Sequence, residues 1–301
     1  MKLAAHGESL SAFAREASLG GEADFHHRLL APGLALFFLL APHAVAQEED
    51  AWPEGNAYVR SVLRNPRPQD AAINDYSYDM DEVRENLDKN GNAISREARR
   101  YEVYFVQTRP VRRLVARNGR ALSAREQSEV DRKAEALAKA IGEGRTVSEQ
   151  PGIRLSLLLE SFDFKTVGRE ERGGRKTLVF AFLPLASAST GRSSGGRGSD
   201  AIARILTGRL HVDEVDRRVA RIDAHNIEGG KASLATGVKL GAFALQMEFV
   251  AVEDHVWLPL RVVTIATGRA FIFKTFRVRQ TTTYSNYRRF TVGTEEKPIG
   301  S

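Results

Sequence analysis

The chain contains no cysteine. That excludes disulfides, a thiol nucleophile, cysteine-ligated zinc and a lipidated cysteine. Histidine is also scarce: beyond residue 50 only His211, His225 and His255 occur. No H-E-x-x-H pair is present, and isolated histidines on separate strands are read as structural, so no metal and no cofactor is expected. The strained elbow G-x-S-x-G of a serine hydrolase is missing too. A long membrane-spanning run is lacking: the uncharged apolar stretch at 29–40 falls short of the about 20 residues a spanning helix needs.

Three local patterns approach a functional motif and fail on chemistry. Gly191-Arg-Ser-Ser-Gly-Gly196-Arg197-Gly198 is near a phosphate-binding loop, but Arg197 replaces the lysine and Gly198 removes the metal-binding hydroxyl. It reads as a flexible connector. Asp88-Lys-Asn-Gly91-Asn has a calcium-loop flavour, yet Ala93 and Arg99 stand where glycine and glutamate belong. The carboxylate pairs Asp79/Asp81 and Asp213/Asp216 lie on strands and turns, where solvation explains them. The chain is therefore read as non-enzymatic.

What is present begins with charge. The net charge is +6, and the part beyond residue 46 holds 41 basic against 34 acidic residues, or +7. Such a balance favours anionic partners (acidic lipid surfaces, phosphorylated glycans or nucleic acid) without choosing among them. Arginine doublets at Arg99-Arg100, Arg112-Arg113, Arg217-Arg218 and Arg288-Arg289 flank strands and read as a solvated face or one meeting lipid headgroups. Nucleic acid is not expected as a partner.

His26-His27-Arg28, the apolar core 29–40, Pro42 and Ala44-Val-Ala46 follow the order of a secretory signal with a small-x-small cleavage site. Residues 1–46 are expected to be a signal peptide with a long N-terminal extension, cleaved after Ala46. The mature protein is then placed in the periplasm or cell envelope. Residues 47–70 are expected to form a segment with a short helix, 71–292 a single domain carrying a glycine-rich loop at 186–199, and 293–301 a tail.

Within the domain the hydrophobic period is two. Tyr76, Tyr78 and Met80 alternate on one strand, and Asn90-Gly91 and Asn118-Gly119 supply tight turns. Ser123-Ala-Arg-Glu126 is a capping box opening a helix to Ile141 with a narrow, light apolar stripe. A second helix, over 151–160, is apolar nearly all round and expected to be buried. The region 240–290 carries the richest strands, with Phe243, Leu245, Met247 and Phe249 on one face of the first. The expected class is α+β: a curved antiparallel sheet, an incomplete barrel, with helices on its concave side. The apolar wall and lid are assigned to Phe243, Leu245, Met247, Phe249, Trp257, Phe271, Phe273, Leu155, Leu158 and Leu159. One reading of these residues is a hydrophobic cavity beneath the sheet that takes an apolar ligand, closed by helices able to move aside. The alternative is an interaction or sensor module whose core is filled.

Three stretches carry a resemblance. They are Gly208-Arg-Leu-His-Val-Asp213-Glu-Val-Asp216-Arg-Arg-Val-Ala-Arg-Ile222, Asp254-His-Val-Trp257-Leu-Pro259, and Tyr284-Ser-Asn-Tyr287-Arg-Arg-Phe290. They resemble a strand–acidic turn–strand, a tryptophan–proline strand start and a closing asparagine–tyrosine strand of the lipoprotein-carrier superfamily of bacterial envelopes, the Lol-type carriers and their relatives. The resemblance covers about residues 200–292. It implies a strongly curved half-barrel plugged by helices, which binds acyl chains or apolar peptide segments without catalysis, with an envelope lipoprotein as a partner. The helix at 123–141, the long first hairpins and the glycine-rich loop depart from the pattern and mark a divergent branch.

Overall fold

Long strands separated by tight turns dictate a meander, and a meander is what forms. The computed structural model describes residues 52–64, 69–145, 155, 159–185, 201–233, 238–253, 255–270 and 274–290. The expected leader (1–46), the glycine-rich loop, the tail, most of the 151–160 helix, and Leu158, Phe271 and Phe273 lie outside those residues.

Two short helical pieces come first: α1 (Gly55–Leu63), then α2 (Gln69–Ala72), which runs into a 3-10 turn at Ile73–Asp75. Next come β1 (Tyr76–Leu87), β2 (Ala93–Val106), β3 (Arg109–Arg117) and β4 (Arg120–Ala121), then α3 (Ala124–Gly142). After α3 follow β5 (Phe162–Arg172), β6 (Arg175–Pro184), β7 (Leu206–Asp213) and β8 (Val219–Asn226). The series closes with β9 (Ala232–Ser233), β10 (Val238–Glu253), β11 (Val256–Ala270) and β12 (Lys274–Arg289).

All twelve strands join one sheet in the order β4-β3-β2-β1-β12-β11-β10-β8-β7-β6-β5, with β9 beside β10. Every pairing is antiparallel. The sheet is large and not closed, the form expected of an incomplete barrel. Two meanders are zipped together where the last strand returns to the first, with Asp81 opposite Thr283 and Asn86 opposite Val278. Strands β10 to β12 run for 15 or 16 residues. Register shifts at Leu240/Ala242, Glu248/Phe249 and Ala251/Glu253 mark bulges that bend strands of this length and add twist.

Register also sorts the side chains onto two faces. Met247 is opposite Val262, Val262 opposite Thr282, and Tyr284 opposite Met80, so these share one face. On that face the half from β5 to β11 carries the main core. Leu155 and Leu159, both helical, pack into it together with α1.

The helix from Ser123 has the capping box the sequence announces. It does not cover the greasy face, however. Its Ala134 and Ile141 pack with Val111, Tyr104 and Val106, whereas Val103 and Phe105 between them point into the cluster of Tyr78 and Met80. Alternation therefore places α3 on the opposite side of the sheet from α1. A light alanine stripe matches a small patch, and Arg113 at 3.0 Å from Asp131 ties the helix down beside it.

Candidate functional site

The wall is built from alternate residues of five strands. Phe162 and Phe164, Phe180 and Phe182, Leu210, Ile222, Leu245 and Met247 all point into one cluster. Phe162 and Phe182 lie 4.7 Å apart, ring to ring. Burying such a side chain contributes roughly 1.5–3 kcal/mol. Of the residues assigned from sequence, Phe243, Leu245, Met247, Leu155 and Leu159 meet here, and Phe249 packs half-buried against them. The phenylalanines of β5 and β6 were not assigned to the wall from sequence, although their spacing of two (162/164, 180/182) was a readable signal.

Burial of polar groups is segregated from this wall. The buried polar residues among those described are Thr177, His211, Asp213 and Thr282. The first three alternate with Leu178, Leu210 and Val212 and so face the other way. The face under α1 thus presents hydrocarbon and aromatic rings.

The cover over β5 and β6 is α1. Glu54 caps it by accepting from the backbone N–H of Asn56 at 3.0 Å. Tyr58 stacks on Phe180 with ring centroids 5.4 Å apart, and Val59 and Val62 sink into the cluster. Few tethers hold this cover. Phe164 N–H donates to Asn56 Oδ1 at 2.8 Å, and the Thr166 hydroxyl donates to the Pro53 carbonyl at 2.5 Å. Gln69 behaves as a one-residue strand, donating to Val219 O and accepting from Val219 N–H, each at 2.8 Å. Arg217 donates to Ser61 Oγ and lies over the Tyr58 ring. Gly55 is required by contact: a β-carbon there would stand 2.4 Å from the Phe164 carbonyl oxygen.

Trp257 sits in a different setting. Its indole N–H donates to Asp216 Oδ2 at 2.8 Å, and Arg175 lies over its ring at 5.3 Å. Arg175 grips the fully buried Asp213 with two hydrogen bonds, 2.6 and 2.8 Å, and also reaches Asp216. Burial pushes the Asp213 carboxyl up, but Arg175 and the backbone N–H groups of Asp216 and Val215 outweigh it and hold the group below the ordinary aspartate value. His255 Nδ1 lies 2.5 Å from Asp216 Oδ1. Tyr287 donates its hydroxyl to the Pro259 carbonyl at 2.5 Å. The three stretches that carry the resemblance therefore meet in one clasp joining β7–β8, β11 and β12. It is a structural pin, with every polar group turned on another.

The histidines do not form a catalytic group. His211 is buried beside Asp223 (3.6 Å) and Glu170 (3.5 Å). His211 faces Arg221, while His225 faces Thr207, four rungs or about 13 Å along the same strands. Burial holds His225 below the usual histidine value. Among the described residues no three metal-ligating side chains cluster.

Two small clefts border the cover. One, of about 40 Å³, lies between Gln69, Ala72, Tyr76, His255, Trp257 and Arg289. The other, of about 20 Å³, lies between Val62, Leu63, Gln69, Leu155 and Val219. Such volumes suit a few waters, against the about 300–1,000 Å³ of a ligand pocket.

No family model matches the chain, and no curated protein does either. Solved structures do. A domain from Vibrio parahaemolyticus assigned to outer membrane lipoprotein sorting aligns over 80% of this chain and 94% of its own, at 12% identity and a TM-score of 0.36. A LolA superfamily protein from Nitrosomonas europaea aligns over 78% of this chain and 94% of its own, at 11% identity and a TM-score of 0.34. MucB of Pseudomonas aeruginosa, solved in complex with MucA, aligns over 78% of this chain and 99% of that one, at 12% identity and a TM-score of 0.23.

Proposed function

We propose that this is an exported, non-catalytic envelope protein whose apolar sheet face receives an apolar or acylated ligand when α1 and the 155–159 segment move aside. One observation carries the reading. The face from β5 to β11 is lined by hydrocarbon and rings, and its cover over β5 and β6 is a nine-residue helix outside the sheet, held by a few side-chain hydrogen bonds. A surface of that kind has affinity for an acyl chain and no group with which to transform it. In this reading residues 1–46 are removed as the export signal, 71–292 form the domain, 186–199 is its connector and 293–301 its tail. Phe271, Phe273 and Leu158 extend the wall and lid. An envelope lipoprotein is the natural source of the chain.

A second reading is favoured by the contacts of Tyr58 and Leu159 with the wall. If that packing is permanent, the protein is an interaction or sensor module with a filled core. Native mass spectrometry of protein purified without detergent from the envelope fraction separates the two. A co-purifying lipid or acylated mass is expected. A clean apo mass in every preparation would sink the ligand reading and leave the filled module.

A further inference from the structure

The arginine doublets are largely spoken for: Arg99, Arg100, Arg113, Arg288 and Arg289 each reach a carboxylate. One group of cations lies together at one end of the sheet. The β1–β2 tip, the end of β11 and the starts of β10 and β12 meet there, with Val238 opposite Ala270, Ala270 opposite Lys274, and Asn86 opposite Val278. Lys239 stands directly opposite Arg269, which in turn faces Thr275, two residues from Arg277 on the same side of β12. Like charges directly opposite across strands repel. Among the described residues, Lys89, Lys239, Arg269 and Lys274 make no ion pair. Arg277 donates to the Asp88 carbonyl at 2.6 Å, drawing the β1–β2 tip and Lys89 toward the group, and its buried Nε has no hydrogen-bond partner.

Two carboxylates of this end are already engaged. Asp88 closes its own turn on the N–H groups of Asn90 and Asn92, at 2.8 and 2.9 Å. Glu85 pairs with Arg279 at 3.3 Å. Next to the tip, Ile94 is 69% exposed, the neighbour of Ala93, which faces Leu87.

We infer that this end of the sheet docks on an anionic phospholipid surface. The cations are spread over three strands and a turn, which suits a plane of headgroups better than one enclosed anion. They fall within about a Debye length of their neighbours and so act together. Each cation brought to such a surface strengthens binding about fivefold. The surface also relieves the Lys239–Arg269 repulsion that the isolated protein carries, and Ile94 adds an apolar contact beside the charges. The inference rests on the exported reading only for access to a membrane. It concerns residues apart from the apolar wall, so its failure and that reading's failure are separate.

The test is sedimentation of the full chain with vesicles of phosphatidylglycerol and phosphatidylethanolamine, against vesicles of phosphatidylcholine, over a range of salt. The apolar segment 29–40 and the basic His26-His27-Arg28 before it are common to all variants, so differences among the variants report on the end of the sheet. Salt-sensitive binding to the anionic vesicles is expected. The triple variant Lys239→Gln/Arg269→Gln/Lys274→Gln should bind about a hundredfold more weakly. Lys239→Glu places a carboxylate opposite Arg269, so its melting temperature should hold or rise while vesicle binding falls at least fivefold. That opposition separates a docking role from a structural one. Equal binding to both vesicle types, unchanged binding of the variants, competition by millimolar inorganic phosphate, or a preference for heparin over vesicles would each overturn the inference.

Discussion

The two halves of the sheet solve the same problem differently. From β5 to β11 the greasy face is covered by α1, Leu155 and Leu159, and the opposite face carries the buried Asp213 and His211. From β12 to β3 that same face carries a cluster of Tyr78, Met80, Val103, Tyr284 and Tyr287, and the long helix α3 lies on the other side. Tyrosines fill the second half with rings whose hydroxyls can still be satisfied, as Tyr287 is by the Pro259 carbonyl. Burial pushes the hydroxyls of Tyr78 and Tyr287 well above the ordinary tyrosine value and raises that of Tyr284. One half is built to be covered by something separate, and the other by its own strands. The difference locates the cover that the proposed function requires to move.

The largest expected effect lies in the first half. Phe180→Ala removes the ring that Tyr58 stacks on, and should cost about 3–5 kcal/mol in denaturant unfolding. A cost below about 1 kcal/mol would mean that the wall is loosely packed.

Next comes the clasp. Asp213 has a folded value below its unfolded one, so its stabilisation is present above about pH 4 and is lost as the pH falls through the folded value. Asp213→Asn should lose roughly 2–3 kcal/mol at neutral pH, less than for a fully buried pair because Arg175 is partly exposed. Its stability should then vary less with pH below 5 than the parent's. Parallel pH curves would contradict the assignment.

A smaller change should act on the cover alone. Gly55→Ala drives a methyl into the Phe164 carbonyl, and should cost about 1–3 kcal/mol while raising the binding of an apolar dye. On the other side, Ser123→Ala removes the α3 cap for about 1 kcal/mol and should leave dye binding unchanged. Equal dye responses from the two variants would erase the distinction between the halves.

Much of this was legible in the sequence. Phe243, Leu245 and Met247 announce β10 by strict alternation, Asn90-Gly91 and Asn118-Gly119 announce their turns, and Ser123 with Glu126 announces α3. What escaped has physical reasons. The partner of β1 is β12, some two hundred residues away, and antiparallel pairing leaves no sequence mark at such a distance. The side on which α3 packs depends on Val103 and Tyr104 pointing opposite ways, and both are apolar enough for either role. Trp257 was assigned to the wall as one of the aromatics of this region, and a ring carries no sequence mark of which polar partner its N–H will find; its indole bonds Asp216. The short α2 and the 3-10 turn after it lie in a stretch with too few apolar residues to show a period.

Hydrogen exchange of the backbone amides tests the removable cover most directly. Amides of α1 (Gly55–Leu63) should exchange through a local opening of lower free energy than those of β6 to β8, and should slow when an acylated ligand is added. If α1 exchanges only with the sheet, as one cooperative unit indifferent to acylated ligands, the cover is part of a fixed core and the account is wrong.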